Sequence, residues 1–306
     1  MLKLQTTVNI PTSDFKISPT QKGLIIGSCF AENIGNYLSN KGFDATCNPQ
    51  GILYNPLSIL NGLKQIKSPQ QIDLEQLVLH NELYHSMAHH GNFSDTDPQK
   101  VLSKVNAPTP NDFDYIIITL GTAFVYKMDG KIVANCHKLP KANFTHTRLS
   151  FSEITETLEQ IIELFSGSNI IFTVSPIRHL SDTLIENCTS KSLLRAATAE
   201  VVEKHDNCSY FGAYEIMNDE LRDYRFYAND MLHPSDQAVT HIIEQFESAY
   251  FSDEAIKLSA EIGKFNTLKN HRILHQNTTA NQKHIAKIEQ TRADLTKRHP
   301  FLVGKI

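Results

Sequence analysis

The sequence predicts an α/β protein with a parallel sheet covered on both faces. Three short, largely apolar runs, at residues 24–26, 113–120 and 169–174, have the hydrophobicity of buried strands. Stretches with helical apolar spacing separate them, most clearly 150–165 and 186–204. Strands that alternate with helices pair in parallel, because each return to the sheet goes through a crossover.

Residues 1–22 form an irregular lead-in, since Pro11 and Pro19 interrupt any regular element. The run 24–26 is the first strand, Gly27 allows a sharp turn, and 30–38 is the helix that follows, with Gly35 inside it and Lys41 and Gly42 closing it. Residues 43–46 give a second short strand. A turn at 48–51 runs into a helix with Pro56 near its first turn. The apolar spacing at 68–79 predicts a surface helix. The strand 113–120 ends at Gly121 and Thr122, and Asp129-Gly130 marks a hairpin between 123–127 and 131–135. A helix over 150–165 takes Ser150 or Ser152 as its cap. The strand 169–174 ends at Ser175 and Pro176, a long helix covers 186–204, and 209–214 is the last strand. Residues 230–233 lie in a loop that enters a helix over 234–250.

The chain of 306 residues is long enough for a core of its own with an appended element. We divide it into a domain over 1–252 and a helical C-terminal extension over 253–306. The extension is polar, rich in Asn, Thr and Gln at 275–282, and weakly amphipathic at Ile285, Ile288 and Leu295. It is expected to pack on the domain or on a partner chain, which makes a homodimer through these helices the expected assembly. A net charge of −4 excludes the strongly basic surface that nucleic acid or an anionic membrane would need. The amino end lacks the long apolar core of a signal peptide and no run is long enough to span a bilayer, so a cytoplasmic protein is expected.

The five cysteines (Cys29, Cys47, Cys136, Cys188, Cys208) are scattered without a C-x-x-C pair, so neither a disulfide framework nor a zinc site is expected. Four of the fourteen histidines fall within 80–93: His80, His85, His89 and His90. Helical spacing of His85 and His89 would suit a metal, but no carboxylate completes the set. We expect no metal and no cofactor, with His90 nearest the pocket.

Two features carry chemistry. The first is the turn after residues 24–26, where Ser28 and Cys29 sit at the carboxyl end of a strand and the amino end of a helix, the place where open α/β sheets bind ligands. The second is Asp230 with His233, three residues apart in one loop. There a carboxylate can orient an imidazole that takes a proton from a nucleophile.

The blocks Gly27-Ser28-Cys29-Phe30-Ala31 and Glu32-Asn33-Ile34-Gly35 resemble the signature of the GSCFA-domain family, which is similar to the SGNH, or GDSL-type, esterases and lipases. Further matching blocks are Thr119-Leu120-Gly121, Asn135-Cys136-His137-Lys138, Thr173-Val174-Ser175-Pro176-Ile177-Arg178-His179, Ala213-Tyr214-Glu215 and residues 226–234. The resemblance covers roughly 20–250. It implies a three-layer α/β/α flavodoxin-like fold and, by analogy, hydrolysis or transfer of an ester-linked acyl group. Laying Gly27 on the superfamily's Gly-Asp-Ser block puts Cys29 at the nucleophile and Ser28 at the aspartate. We favour Cys29, with Ser28 as the alternative, because a helix amino terminus lowers a thiol's pKa. Asp230 and His233 fit as orienter and general base.

The oxyanion blocks fit less well. The Cys29 N–H is one donor and Gly51 a second. The superfamily's Gly-x-Asn-Asp block is replaced by Gly121 and Thr122, so its asparagine donor is missing, and Asn55, Asn135 or Thr122 takes its place or the hole is reduced. Asn135 and His137 are read as substrate contacts. Arg178 and His179 follow a strand at the same sheet edge, and Arg178 would bind a carboxylate or phosphate. The expected function is therefore a Cys/Ser-His-Asp esterase acting on a small-molecule or carbohydrate ester. An acyltransferase and a non-catalytic ligand-binding module are the alternatives.

Overall fold

The computed structural model describes residues 5–271 and 278–306. The chain begins β1 (Lys22–Gly27), α1 (Cys29–Asn40), β2 (Asp44–Cys47), α2 (Pro56–Lys67), β3 (Val78–His80), β4 (Leu83–His85) and α3 (Pro98–Val105). Strands β5 (Tyr115–Leu120), β6 (Phe124–Met128), β7 (Lys131–Val133) and β8 (Thr145–Arg148) come next. Then follow α4 (Phe151–Leu164), β9 (Asn169–Val174), α5 (Thr183–Val202), β10 (Cys208–Tyr210) and the short α6 (Ala213–Glu215). Three long helices end the chain: α7 (Asp236–Tyr250), α8 (Asp253–Lys269) and α9 (Thr279–Arg298).

Five strands make the central sheet in the order β10-β9-β5-β1-β2, and every neighbouring pair is parallel. Numbered along the chain within this sheet, the order is 2-1-3-4-5, the doubly wound arrangement of flavodoxin-like proteins. Its side chains alternate between two cores. Leu24, Ile26, Ile116, Ile118, Ile170 and Phe172 meet residues of α2, α4 and α5. Ile25, Ile117 and Ile171 meet residues of α1 and α7. Each fully buried Leu, Ile or Phe contributes roughly 1.5–3 kcal/mol, so these two layers outweigh any single polar contact. The three-layer α/β/α fold is the one the sequence predicted.

Several local expectations hold for identifiable reasons. Asp129 (φ 50°) and Gly130 (φ 77°) both adopt the left-handed turn that joins β6 to β7. Ser150, not Ser152, caps α4, and Glu153 reaches back to the Ser150 N–H at 2.8 Å. The predicted helix over 68–79 does not form. Only a single 3-10 turn, Leu74–Gln76, precedes β3. Pro69 interrupts it, and side-chain amides hold the backbone instead. Gln65 Nε2 donates to Gln70 O at 2.6 Å, and Asn106 both accepts from Ile72 N–H (2.8 Å) and donates to Ile72 O (2.9 Å). His85 lies on β4, so it shares no helix face with His89. Helix α3 was missed, although Asp97 caps it and Pro98 opens it. The last strand is shorter than predicted, because Ala213 starts a helical turn.

The C-terminal extension packs on the domain. Its helices α8 and α9 share a small core of Leu258, Ile262, Phe265, Leu295 and Leu302. It docks where α1 ends: Lys41 Nζ donates to Ser259 O, and Asn266 Nδ2 to Asn40 O, both at 2.9 Å. A Cβ on Gly42 would lie 2.4 Å from a Leu302 methyl, so the glycine lets the extension approach. Residues 1–4 of the predicted lead-in and 275–277 of the polar stretch lie outside the described residues. Among the described residues, no helix is long and apolar enough to cross a membrane.

Gly27 joins the sheet to the turn that follows. Its φ of +138° is open only to glycine, and a Cβ there would sit 2.2 Å from the Thr119 carbonyl oxygen. Gly27→Ala is therefore expected to cost about 3–5 kcal/mol. Gly167→Ala, whose Cβ would meet nothing within 4 Å, stays within about 0.5 kcal/mol of the parent protein. Urea unfolding midpoints of the two variants check this. Equal midpoints would show that the chain relaxes around the added methyl.

Candidate active site

In a doubly wound sheet, ligands bind beyond the carboxyl ends of the strands where the strand order reverses. That place lies between β1 and β5, and the residues that follow these strands are Ser28 and Gly121. The turn is fastened from both sides. Ser28 N–H donates to Thr119 O on β5 at 3.0 Å. From the segment after β2, Leu53 N–H donates to Gly27 O, and Gly27 N–H donates to Asn48 Oδ1, both at 2.9 Å. Ser28 takes the N-cap position of α1 in an extended conformation, but its hydroxyl does not cap the helix. That hydroxyl is sealed, at 1% exposure, and has no hydrogen-bond partner.

Cys29 opens α1 and is half-buried, with Sγ 3.7 Å from the Tyr54 hydroxyl. Its pKa is raised, first by burial and further by the Glu32 carboxylate one turn on. The Tyr54 hydroxyl, its own amide and the Lys191 charge oppose this without overcoming it. The expected lowering at the helix terminus is thereby reversed, because burial outweighs the dipole. Cys29 therefore rests as a thiol.

Lys191 was not singled out in the sequence. It is fully buried on α5, and its Nζ donates to Gly121 O at 2.6 Å and Ser175 O at 2.8 Å, holding the chain just beyond β5 and β9. Burial pushes its pKa down to about 7, and the nearby Cys29 opposes that. The available signal was a lysine on the same buried face of the helix as Leu194, Thr198 and Val201. Tyr54 was also missed. Its carbonyl accepts from the N–H groups of both Gly121 (2.8 Å) and Thr122 (2.9 Å).

His179 lies beside this group. A methyl on Gly121 would sit 3.1 Å from Ser28 Cβ and 3.4 Å from His179 Nε2, so the serine and the imidazole close over the same bare Cα. Nε2 is buried without a partner, and the ring meets Tyr54 edge-on with centroids 5.6 Å apart. Burial, followed by the charges of Lys191 and His233, lowers its pKa to about 3.

Asp230 and His233 form the expected dyad. His233 Nδ1 lies 2.6 Å from Asp230 Oδ2, and Asp230 Oδ1 accepts from the N–H groups of Leu232 (2.9 Å) and His233 (3.0 Å). These three bonds hold the Asp230 carboxyl down at about 2. The dyad loop is closed by Ala228 N–H to His233 O (2.8 Å) and tied to the loop after β9 by Arg178 N–H to Leu232 O (3.3 Å). The Arg178 guanidinium stacks on Tyr227, 4.1 Å from the ring centroid, rather than standing free for an anion. Among the described residues, no hydrogen bond joins His233 to Ser28 or Cys29.

The other predicted site residues make local contacts. Gly51 N–H donates to Asn48 O at 2.7 Å, so it is no oxyanion donor. Thr122 has its N–H on Tyr54 O and its hydroxyl 3.2 Å from Ser190 Oγ. Asn55 caps α2 by accepting from Ser58 N–H, and Asn135 accepts from His137 N–H in a local turn. His137 is buried against Ser86 O (3.0 Å) and stacked on His85, with centroids 4.5 Å apart. His90 packs against Gly51, and its Nδ1 accepts from Asn92 N–H. His137 thereby buttresses the 86–90 loop. Among the described residues, no group of three or more His, Cys, Asp or Glu is placed to hold a metal ion. A cleft of about 940 Å³ runs beside α2, lined by Gln50, Asn61, Gln65, Gln70, Gln71 and His89 among others, and does not include Ser28, Cys29 or His233.

The fold and this cluster define an α/β/α protein with a polar site at the switch point of its sheet. The chain belongs to the GSCFA family, whose model matches residues 22–246. It is also similar to a solved protein of Streptococcus pneumonia provisionally named a platelet activating factor, with 14% identity and a TM-score of 0.39 over 74% of this chain and 84% of that one. No curated protein matches it.

The buried histidines make stability depend on acid. His89 and His137 are each held at about 4 by burial, and His179 at about 3. The unfolded chain binds their protons near pH 6.5, whereas the folded chain does not until about pH 4. Stability is therefore expected to fall as pH drops through that window. Urea midpoints measured across it check the slope, which should be shallower in the double variant His89→Gln, His137→Gln. An unchanged slope would mean that neither ring is held neutral.

Proposed function

We propose that this protein is an SGNH-like acyl-processing enzyme that acts on an ester-linked acyl group through Cys29, His233 and Asp230. The observation that carries the reading is the Asp230–His233 dyad. Its Nδ1 is held by the carboxylate, which leaves Nε2 for a proton, and its loop is tied to the loop that follows β9 and carries His179. The raised thiol supports the same division of labour, since a protonated nucleophile depends on a general base.

The chemistry balances without a cofactor. His233 Nε2 takes the Cys29 proton as Sγ bonds to the carbonyl carbon, and the carbonyl π pair moves onto oxygen. Re-forming the carbonyl breaks the bond to the leaving oxygen, which takes the proton from His233. Water or an acceptor hydroxyl then repeats the sequence, so hydrolysis and transfer differ only in the second nucleophile. The sealed Ser28 hydroxyl favours Cys29 over Ser28 as nucleophile.

Turnover of p-nitrophenyl acetate, with mass-spectrometric mapping of iodoacetamide on each cysteine, tests the proposal. Cys29→Ala is expected to abolish turnover, and His233→Ala to lower it by about 10²–10⁴-fold. Cys29 should be alkylated faster than Cys47 and Cys208, whose thiols burial pushes up to about 12, and His233→Ala should remove the difference. Full turnover in Cys29→Ala with none in Ser28→Ala would move the nucleophile to Ser28. No turnover and no preferential alkylation would leave a ligand-binding module on this scaffold.

A further inference from the structure

An acyl-transfer site has to hold the negative oxygen of its tetrahedral intermediate, and most backbone donors around this elbow are engaged. The N–H groups of Ser28, Gly51, Gly121 and Thr122 already donate to Thr119 O, Asn48 O and, for the last two, Tyr54 O. The Cys29 N–H, at the uncapped start of α1, is a backbone donor with no such commitment. We infer that the imidazole of His179 supplies the second donor, its Nε2–H pointing to the oxyanion that forms when Cys29 attacks a carbonyl. This rests on the acyl-transfer reading above and gives the missing asparagine donor a replacement of different chemistry.

Three observations place the ring there. Its Nε2 is buried and unpartnered, and it approaches the Gly121 Cα together with Ser28, the residue before the nucleophile. The ring stands edge-on to Tyr54, whose hydroxyl reaches the Cys29 sulfur. The backbone is fixed on both sides, by His179 N–H to Asn187 Oδ1 (2.9 Å) and by Arg178 N–H to Leu232 O in the dyad loop. Burial beside the buried Lys191 also keeps the ring neutral. A neutral imidazole N–H is a weak acid that donates a hydrogen bond without losing its proton, the property an oxyanion donor requires. His233, paired with a carboxylate and half exposed, is the ring suited to carry the proton.

The test separates donor from base. With p-nitrophenyl acetate, His179→Ala is expected to lower kcat by about 10²–10³-fold with KM little changed. His179→Gln, which keeps an N–H donor, should recover about tenfold of that loss. Alkylation of Cys29 by iodoacetamide builds no oxyanion, so it should stay within about twofold of the parent rate in both variants. A fall in alkylation matching that of His233→Ala would make His179 part of thiol deprotonation and overturn the assignment. If the parent protein shows no ester turnover, the acyl-transfer reading fails on its own. Nitrogen-15 NMR of the histidine rings then decides the donor state: a neutral ring protonated on Nε2 between about pH 5 and 8 supports it. A proton on Nδ1, or an imidazolium in that range, removes it.

Discussion

The close approach of Gly27 to the Thr119 carbonyl is the constraint from which the site follows. Strand β1 lies between β2 and β5, and its last residue has to leave the sheet without a side chain in the way. With φ at +138°, the chain turns so that Ser28 bonds back to β5 while Leu53 bonds to Gly27 from the opposite side. The first turn of α1 is thereby fixed to two neighbouring segments. The helix begins at Cys29 because Ser28 is held extended by the bond to β5.

Beyond that turn, the carboxyl end of the sheet is organised by groups that few sequence rules would bring together. Strand ends leave carbonyl groups without partners, and a buried ammonium can satisfy two of them at once. Lys191 does so for Gly121 and Ser175. A charge buried without a carboxylate is costly, and among the described residues Lys191 forms no ion pair. Its depressed pKa and the neutral state of His179 have the same origin, low access to water. The dyad differs: Asp230 and His233 stand at the surface, each about half exposed to water. The site thus grades from a dry interior beneath the elbow to a wet rim at the dyad.

That gradient bears on chemistry. A half-buried thiol whose pKa is raised by burial and by Glu32 does not react indiscriminately. In the proposed reaction its activation would depend on His233, and so on the position of the dyad loop. The tie between Arg178 and Leu232 makes the position of that loop depend on the chain after β9, on which His179 also sits. The proposed base and the proposed oxyanion donor are therefore carried by two loops that one hydrogen bond ties together.

Much of this was readable from the chain alone. Largely apolar runs at 113–120 and 169–174, too short for buried helices, read as buried strands of a covered sheet, and Asp129-Gly130 reads as a tight turn. The Asp230–His233 pairing is local, three residues apart, so the loop sequence determined it directly. The 68–79 segment was misread because side-chain amides of Gln65 and Asn106, distant in sequence or outside the apolar pattern, took over its backbone bonds. Gly51, Asn135 and His137 show the same dependence on packing: the Gly51 N–H, the Asn135 side-chain carbonyl and the His137 ring all make contacts that residue type alone does not reveal. Tertiary structure alone decided that Lys191 and Tyr54 sit at the elbow, that Ser28 is sealed, and that Cys29 is a thiol. Burial and long-range charge set those properties, and neither is encoded in the spacing of residues along the chain.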